Sequence, residues 1–204
     1  MRTPRSAAVF LVALAITLVT NSQPSAAGGR IEGTVKAAGL ASNADAVVYV
    51  VQVTGPFTPP AKPVDMDQRN MQFVPHVLPI VAGMTVRFLN SDPTSHNVFS
   101  PDREKYDLGT WPQGQSKTRT FAACPKAPCV YVQLCRIHPE MEAYVVVLQN
   151  PFFAVTGADG KFSIDNVPPG SYSLAVWHAK GKAQPKPVTV DVAKPAVADF
   201  VLSK

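Results

Sequence analysis

Val130-Tyr131-Val132-Gln133-Leu134-Cys135-Arg136-Ile137-His138-Pro139-Glu140-Met141-Glu142-Ala143-Tyr144-Val145-Val146-Val147-Leu148 reads as two strands flanking a short loop. β-Branched and aromatic residues fill both runs, the composition of sheet that packs against a core. The loop carries a thiol, an imidazole and a thioether at Cys-x-x-His-x-x-Met spacing. A tight connection between two strands lets all three side chains point at one ion. One thiolate and one imidazole with a weak thioether make the donor set of an electron-transfer copper site that lacks only a second imidazole. His96, within Asn90-Ser91-Asp92-Pro93-Thr94-Ser95-His96-Asn97-Val98-Phe99, is the candidate for it. Taken singly, His96 also reads as a loop histidine hydrogen-bonded to Asp92.

Outward from that loop the chain continues as short strands. Met71 to Val77, Thr85 to Asn90, Gln115 to Phe121, Val130 to Leu134 and Tyr144 to Leu148 are predicted strands, with a turn at Ala82-Gly83. Val86 and Phe88 alternate with Arg87, as a strand with one buried face requires. Twenty prolines, twelve glycines and no extended 3.6-residue apolar period outside the N-terminal segment argue for an all-β protein of 204 residues. The formal net charge of +5 is spread without a Lys/Arg run, which argues against nucleic acid as a partner.

Residues 1–27 read as an export signal: Arg2 and Arg5, an apolar core from Ala7 to Val19, and small residues Ser25-Ala26-Ala27 before Gly28. That core is short for a membrane span, so a periplasmic protein, not membrane-spanning after signal cleavage, is expected. Three cysteines are then read in an oxidising compartment. Cys124 and Cys129 flank Pro125-Lys126-Ala127-Pro128, and a disulfide between them is favoured over their use as soft ligands for an additional ion. Pairing them leaves Cys135 as a free thiol.

The segment from about Asn70 to Gln149 resembles the cupredoxins of the amicyanin and plastocyanin type. The resemblance is carried by Phe73-Val74-Pro75, by Val81 to Asp92 (Val-x-x-Gly-x-Thr-Val-x-Phe-x-Asn-x-Asp), by His96-Asn97-Val98, and by the Cys-x-x-His-Pro-x-Met loop. It implies a Greek-key sandwich holding one type 1 (blue) copper ion. His96, Cys135 and His138 would be equatorial ligands, Met141 axial, and Asn97 would tie the His96 loop to the Cys135 loop. It also implies single-electron exchange with a redox protein such as a periplasmic dehydrogenase or c-type cytochrome, without enzymatic turnover. Leu134 before Cys135, Ala143 where the family has glycine, and Glu140 depart from the pattern; they bear on the partner surface and the potential. Met66, Met71 and His76 could supply a second, weaker copper set, although His76 reads better as structural. A periplasmic copper chaperone or storage protein is the alternative function.

A second resemblance brackets the first. Ile31 to Val35, Ala46 to Val50, the Asp159-Gly160 turn with Lys161 to Ile164, and the Pro168-Pro169-Gly170 turn with Ser171 to Val176 resemble a carboxypeptidase regulatory-like, transthyretin-like β-sandwich. Both turns favour hairpins on their own chemistry. The expected organisation is therefore discontinuous: 28–58 and 151–204 form this sandwich, and 64–150 form the copper-binding unit. Pro56 to Pro63 is the stiff connector on one side and Asn150-Pro151 the one on the other. The flanking sandwich shows no chemistry of its own; Trp111 and Trp177-His178 read as partly buried aromatics.

Overall fold

A computed structural model describes residues 28–204; the expected export signal lies outside the described residues. The strands run β1 (Gly29–Ala37), β2 (Val47–Val50), β3 (Val64–Arg69), β4 (Gln72–Val74), β5 (Val77–Val81), β6 (Thr85–Asn90), β7 (His96–Ser100), β8 (Tyr106–Trp111) and β9 (Ser116–Thr120). They continue as β10 (Cys129–Leu134), β11 (Glu142–Leu148), β12 (Phe153–Val155), β13 (Lys161–Val167), β14 (Gly170–Trp177), β15 (Lys186–Val190), β16 (Ala196–Val197) and β17 (Phe200–Leu202). The fold is all-β, as expected, and among the described residues no helix is long and apolar enough to cross a membrane.

Four sheets lie in a stack. The first has the order β4-β3-β6-β9 and the second β5-β11-β10-β7-β8. The third is β12-β2-β14-β15, and in the fourth β1 lies between β13 and the pair β16 and β17. Three apolar layers separate them. Met66, Phe73, Val86, Phe88, Trp111 and Tyr131 fill the space between the first and second sheets. Ile31, Val48, Phe162, Leu174, Val190 and Phe200 fill that between the third and fourth. Val77, Val146 and Leu148 of the second sheet meet Val47, Tyr49 and Ala175 of the third.

The middle layer explains a feature of the sequence. Along β11, Val145 and Val147 enter the first core, whereas Val146 and Leu148 enter the layer shared with the third sheet. In β2, Val48 and Val50 face one core, and Val47 and Tyr49 the other. Both strands have two buried faces and read as unbroken apolar runs, the pattern of a strand covered on both sides. Burying a valine or leucine contributes about 1.5–3 kcal/mol, so this layer binds the two sandwiches firmly.

The expected strand at 71–77 is divided. Pro75 and His76 interrupt it, because proline offers no N–H to a ladder, leaving β4 and β5 in different sheets. β3 was not foreseen. Val64 and Met66 alternate with Asp65 and Asp67, but aspartate is depleted in strands; here Asp65 is paired across the strands with Arg87 and takes two of its N–H groups at 2.8 Å. β3 and β4 are joined by the two-residue turn Asn70-Met71, both at φ 54°, the left-handed backbone that such hairpins demand. The Asp159-Gly160 turn is as expected. Gly160 sits at φ 73°, and a Cβ there would run into the Val35 carbonyl.

Candidate metal centre

Two loops at one end of the first sandwich converge. β7 opens on His96, directly after the 91–95 loop, and β10 delivers Cys135 at the start of the following turn. The Met141 N–H closes that turn on the His138 carbonyl at 3.0 Å. His96 is 0% exposed, Cys135 3% and Met141 1%, all within or beside the first core. His138 is half-buried, between Ile137, 47% exposed, and exposed Pro139 and Glu140.

One ligand atom from each of His96, Cys135 and His138 lies within 4.8 Å of the others. The His96 and His138 Nδ1 atoms face each other at 3.0 Å, and the Cys135 Sγ is 3.9 Å from the His138 Nδ1. The other nitrogen of His96, Nε2, lies 2.8 Å from Asp92 Oδ2. The two readings of His96 are therefore compatible, since the carboxylate takes one ring nitrogen and leaves the other facing the thiol. The donors are a thiol and two imidazoles without a carboxylate oxygen, a set for a soft or borderline transition metal and not for calcium or magnesium.

Asn97 joins the loops through four contacts. Its N–H points at the Cys135 Sγ at 3.5 Å, and its Oδ1 accepts from the Arg136 N–H at 3.4 Å. Its Nδ2 donates to Asp107 Oδ1 at 2.7 Å and to the Gly109 carbonyl at 2.9 Å. Asp107 also receives the Arg136 Nε at 2.8 Å. The Arg136 guanidinium, then the Gly109 N–H, hold the Asp107 carboxyl below the usual carboxylate range against its partial burial. The guanidinium also stacks on Phe99, 4.2 Å from its ring centre. Asp107 and Gly109 were missed in the sequence, where nothing in their spacing points to Asn97.

Asp92 is the other acidic group at the site. Burial works against its charge, yet the Met71 N–H, the His96 imidazole and the Asn70 N–H hold it below its ordinary range. Cys124 and Cys129 are joined by a disulfide with their Cα atoms 6.3 Å apart, and Cys135 is the free cysteine among the described residues. Met66 is fully buried, Met71 sits 48% exposed on the β3–β4 turn, and His76 is bound to Asp45 at 2.8 Å.

The model of the carboxypeptidase regulatory-like domain family matches residues 139–203, from within the cysteine loop through β17. No curated protein matches the chain. Among solved structures it is similar to a copper-containing nitrite reductase from Thermus scotoductus SA-01, with 27% identity over 50% of this chain and 25% of that chain, TM-score 0.40. It is similar to amicyanin from Paracoccus versutus, with 23% identity over 49% of this chain and 96% of that one, TM-score 0.38. A purple cupredoxin from Nitrosopumilus maritimus is 22% identical over 41% and 98%, TM-score 0.37. The chain thus spans a quarter of the nitrite reductase it matches.

Proposed function

We propose that this chain is an exported copper protein that passes single electrons between redox partners. His96, Cys135, His138 and Met141 would hold one type 1 copper ion as the resident cofactor. A single observation carries this reading: a buried thiol and two imidazole nitrogens, from loops 39 positions apart in sequence (His96 and Cys135), lie within 4.8 Å of one another. A copper ion bound there supplies exchange between Cu(I) and Cu(II). The protein's part is to keep the donors fixed, so that little rearrangement accompanies a change of charge. Asn97 serves that end by holding both loops and aiming its N–H at the sulfur. His138, with Ile137 and Pro139 beside it, is the route outward, and the acceptor or donor protein docks over it.

Carriage is preferred to enzymatic turnover because His96, Cys135 and Met141 are buried and, of the four, His138 alone is partly exposed. The chaperone or storage alternative needs further soft donors; of Met66, Met71 and His76, the first is fully buried and the last is engaged by Asp45. Periplasmic residence rests on residues 1–27 and agrees with the Cys124–Cys129 disulfide. We further propose that 64–150 is a copper unit inserted into a sandwich made by 28–58 and 151–204. β2 pairs with β12 and β14, and β1 with β13, across that insertion, which supports it.

The test is the visible and EPR spectrum of Cu(II)-loaded protein. A strong thiolate-to-copper band with small parallel hyperfine splitting is expected. A colourless adduct that holds only Cu(I) would overturn electron carriage and favour copper handling.

A further inference from the structure

The Asp92 carboxylate is buried and faces two backbone N–H groups and one imidazole nitrogen. Its Oδ1 accepts the Asn70 N–H at 2.5 Å; its Oδ2 accepts the Met71 N–H at 2.8 Å and lies 2.8 Å from the His96 Nε2, and a carboxylate oxygen can only accept there. Asn90 holds the loop in place, taking the Asp92 N–H on its Oδ1 at 2.9 Å and donating to the Thr94 and Trp111 carbonyls. Asn70 and Met71 both have φ 54°. Asparagine tolerates that backbone and methionine does not readily do so, but the conformation is what turns two consecutive N–H groups toward one carboxylate. A neutral acceptor would suffice merely to hold an imidazole. Burying a charge costs free energy unless it is fully hydrogen-bonded, and here the fold supplies those bonds from a hairpin in the opposite sheet.

We infer that Asp92 is a positioning residue that locks His96 with its proton on Nε2 and its lone pair on Nδ1, and that its charge biases the centre toward the more oxidised metal. The second half rests on the copper reading above; the first concerns the metal-free protein as well. A carboxylate on the far side of a ligating imidazole fixes its tautomer and raises its basicity, and loss of such a partner changes metal affinity by about 10- to 100-fold. A more basic donor and a nearby negative charge stabilise Cu(II) over Cu(I). The β3–β4 turn thereby acts on the ligand through the carboxylate.

Two measurements test this. In metal-free protein, nitrogen NMR of the His96 ring should show Nε2 protonated and Nδ1 bare; a proton resident on Nδ1 would overturn the inference. In copper-loaded Asp92→Asn, the preference for Cu(I) over Cu(II) should rise about tenfold, a midpoint potential higher by about 59 mV, with a shifted hyperfine splitting. An unchanged potential in a folded variant would overturn the electronic role, leaving at most a structural brace. Should Asp92→Asn not fold, the ring measurement on the unaltered protein decides. Should the unaltered protein give no thiolate band, the copper reading fails, while the ring measurement still tests the tautomer.

Discussion

The core between the first two sheets contains Gln68, Asn90, Asp92, His96, Asn97 and Gln133 among its buried side chains, whereas that between the third and fourth is apolar. The buried polar groups nearest the second core, Asn150 and Thr156, serve the backbone: Asn150 Nδ2 donates to the Val50 carbonyl and Thr156 Oγ1 to that of Asn43. Asp92, Asn97 and Gln133 instead bind other side chains, Gln133 through Tyr106. Polar networks of this kind fix orientation at a cost in desolvation. One sandwich uses its interior to aim side chains, and the other only to cohere.

The sharpest division of labour should follow Cys135→Ser, which is expected to remove the strong visible band of copper-loaded protein altogether; survival of the band would refute the ligand assignment. Leu174→Ala in the second core should lower stability by about 2–5 kcal/mol in urea unfolding, with the spectrum of the folded fraction unchanged. A changed spectrum would mean that the shared layer transmits packing to the site. Met141→Leu should retain copper and raise the potential, as measured by redox titration. Cleavage between 56 and 63 should leave the pieces co-eluting without denaturant; their separation would refute the insertion.

The smallest effect concerns acid. Asp107 is held below its usual range chiefly by Arg136, and Asp199 chiefly by the Thr34 hydroxyl and N–H. Each therefore favours the folded state fully above the ordinary carboxylate range and loses that effect as pH falls through its depressed value. For Asp107 this is about 1 kcal/mol or less, read as the neutral-pH stability difference from Asp107→Asn. Added salt should shrink the Asp107 difference and leave that of Asp199→Asn largely intact, because only the former depends mainly on a charge partner.

The strands with clean alternation, β6 and β10, were legible, as were both donor loops and the cysteine pairing. β3 escaped because Asp65 and Asp67 make it look like a loop, and Gln68 takes an interior position that alternation assigns to an apolar residue. Pro75 stands in plain view in the sequence, and its missing N–H is what ends the ladder there. Asn97 was expected to join the loops, yet its partners Asp107 and Gly109 come from β8, whose register against β7 shifts between Asn97 and Phe99. The Asp92–His96 contact was legible as an alternative to ligation; the Asn70-Met71 contacts to Asp92 arise from tertiary packing. The continuous runs in β2 and β11 did carry the sign of double burial, without naming which sheets would cover them.

That doubly covered β11 limits what can be cut out for engineering. A minimal version comprising 64–150 alone would leave Val77, Val146 and Leu148 facing water where Val47, Tyr49 and Ala175 now cover them. Such a greasy panel invites self-association, so a miniaturised carrier would need those three positions repainted with hydrophilic side chains before it could stay monodisperse.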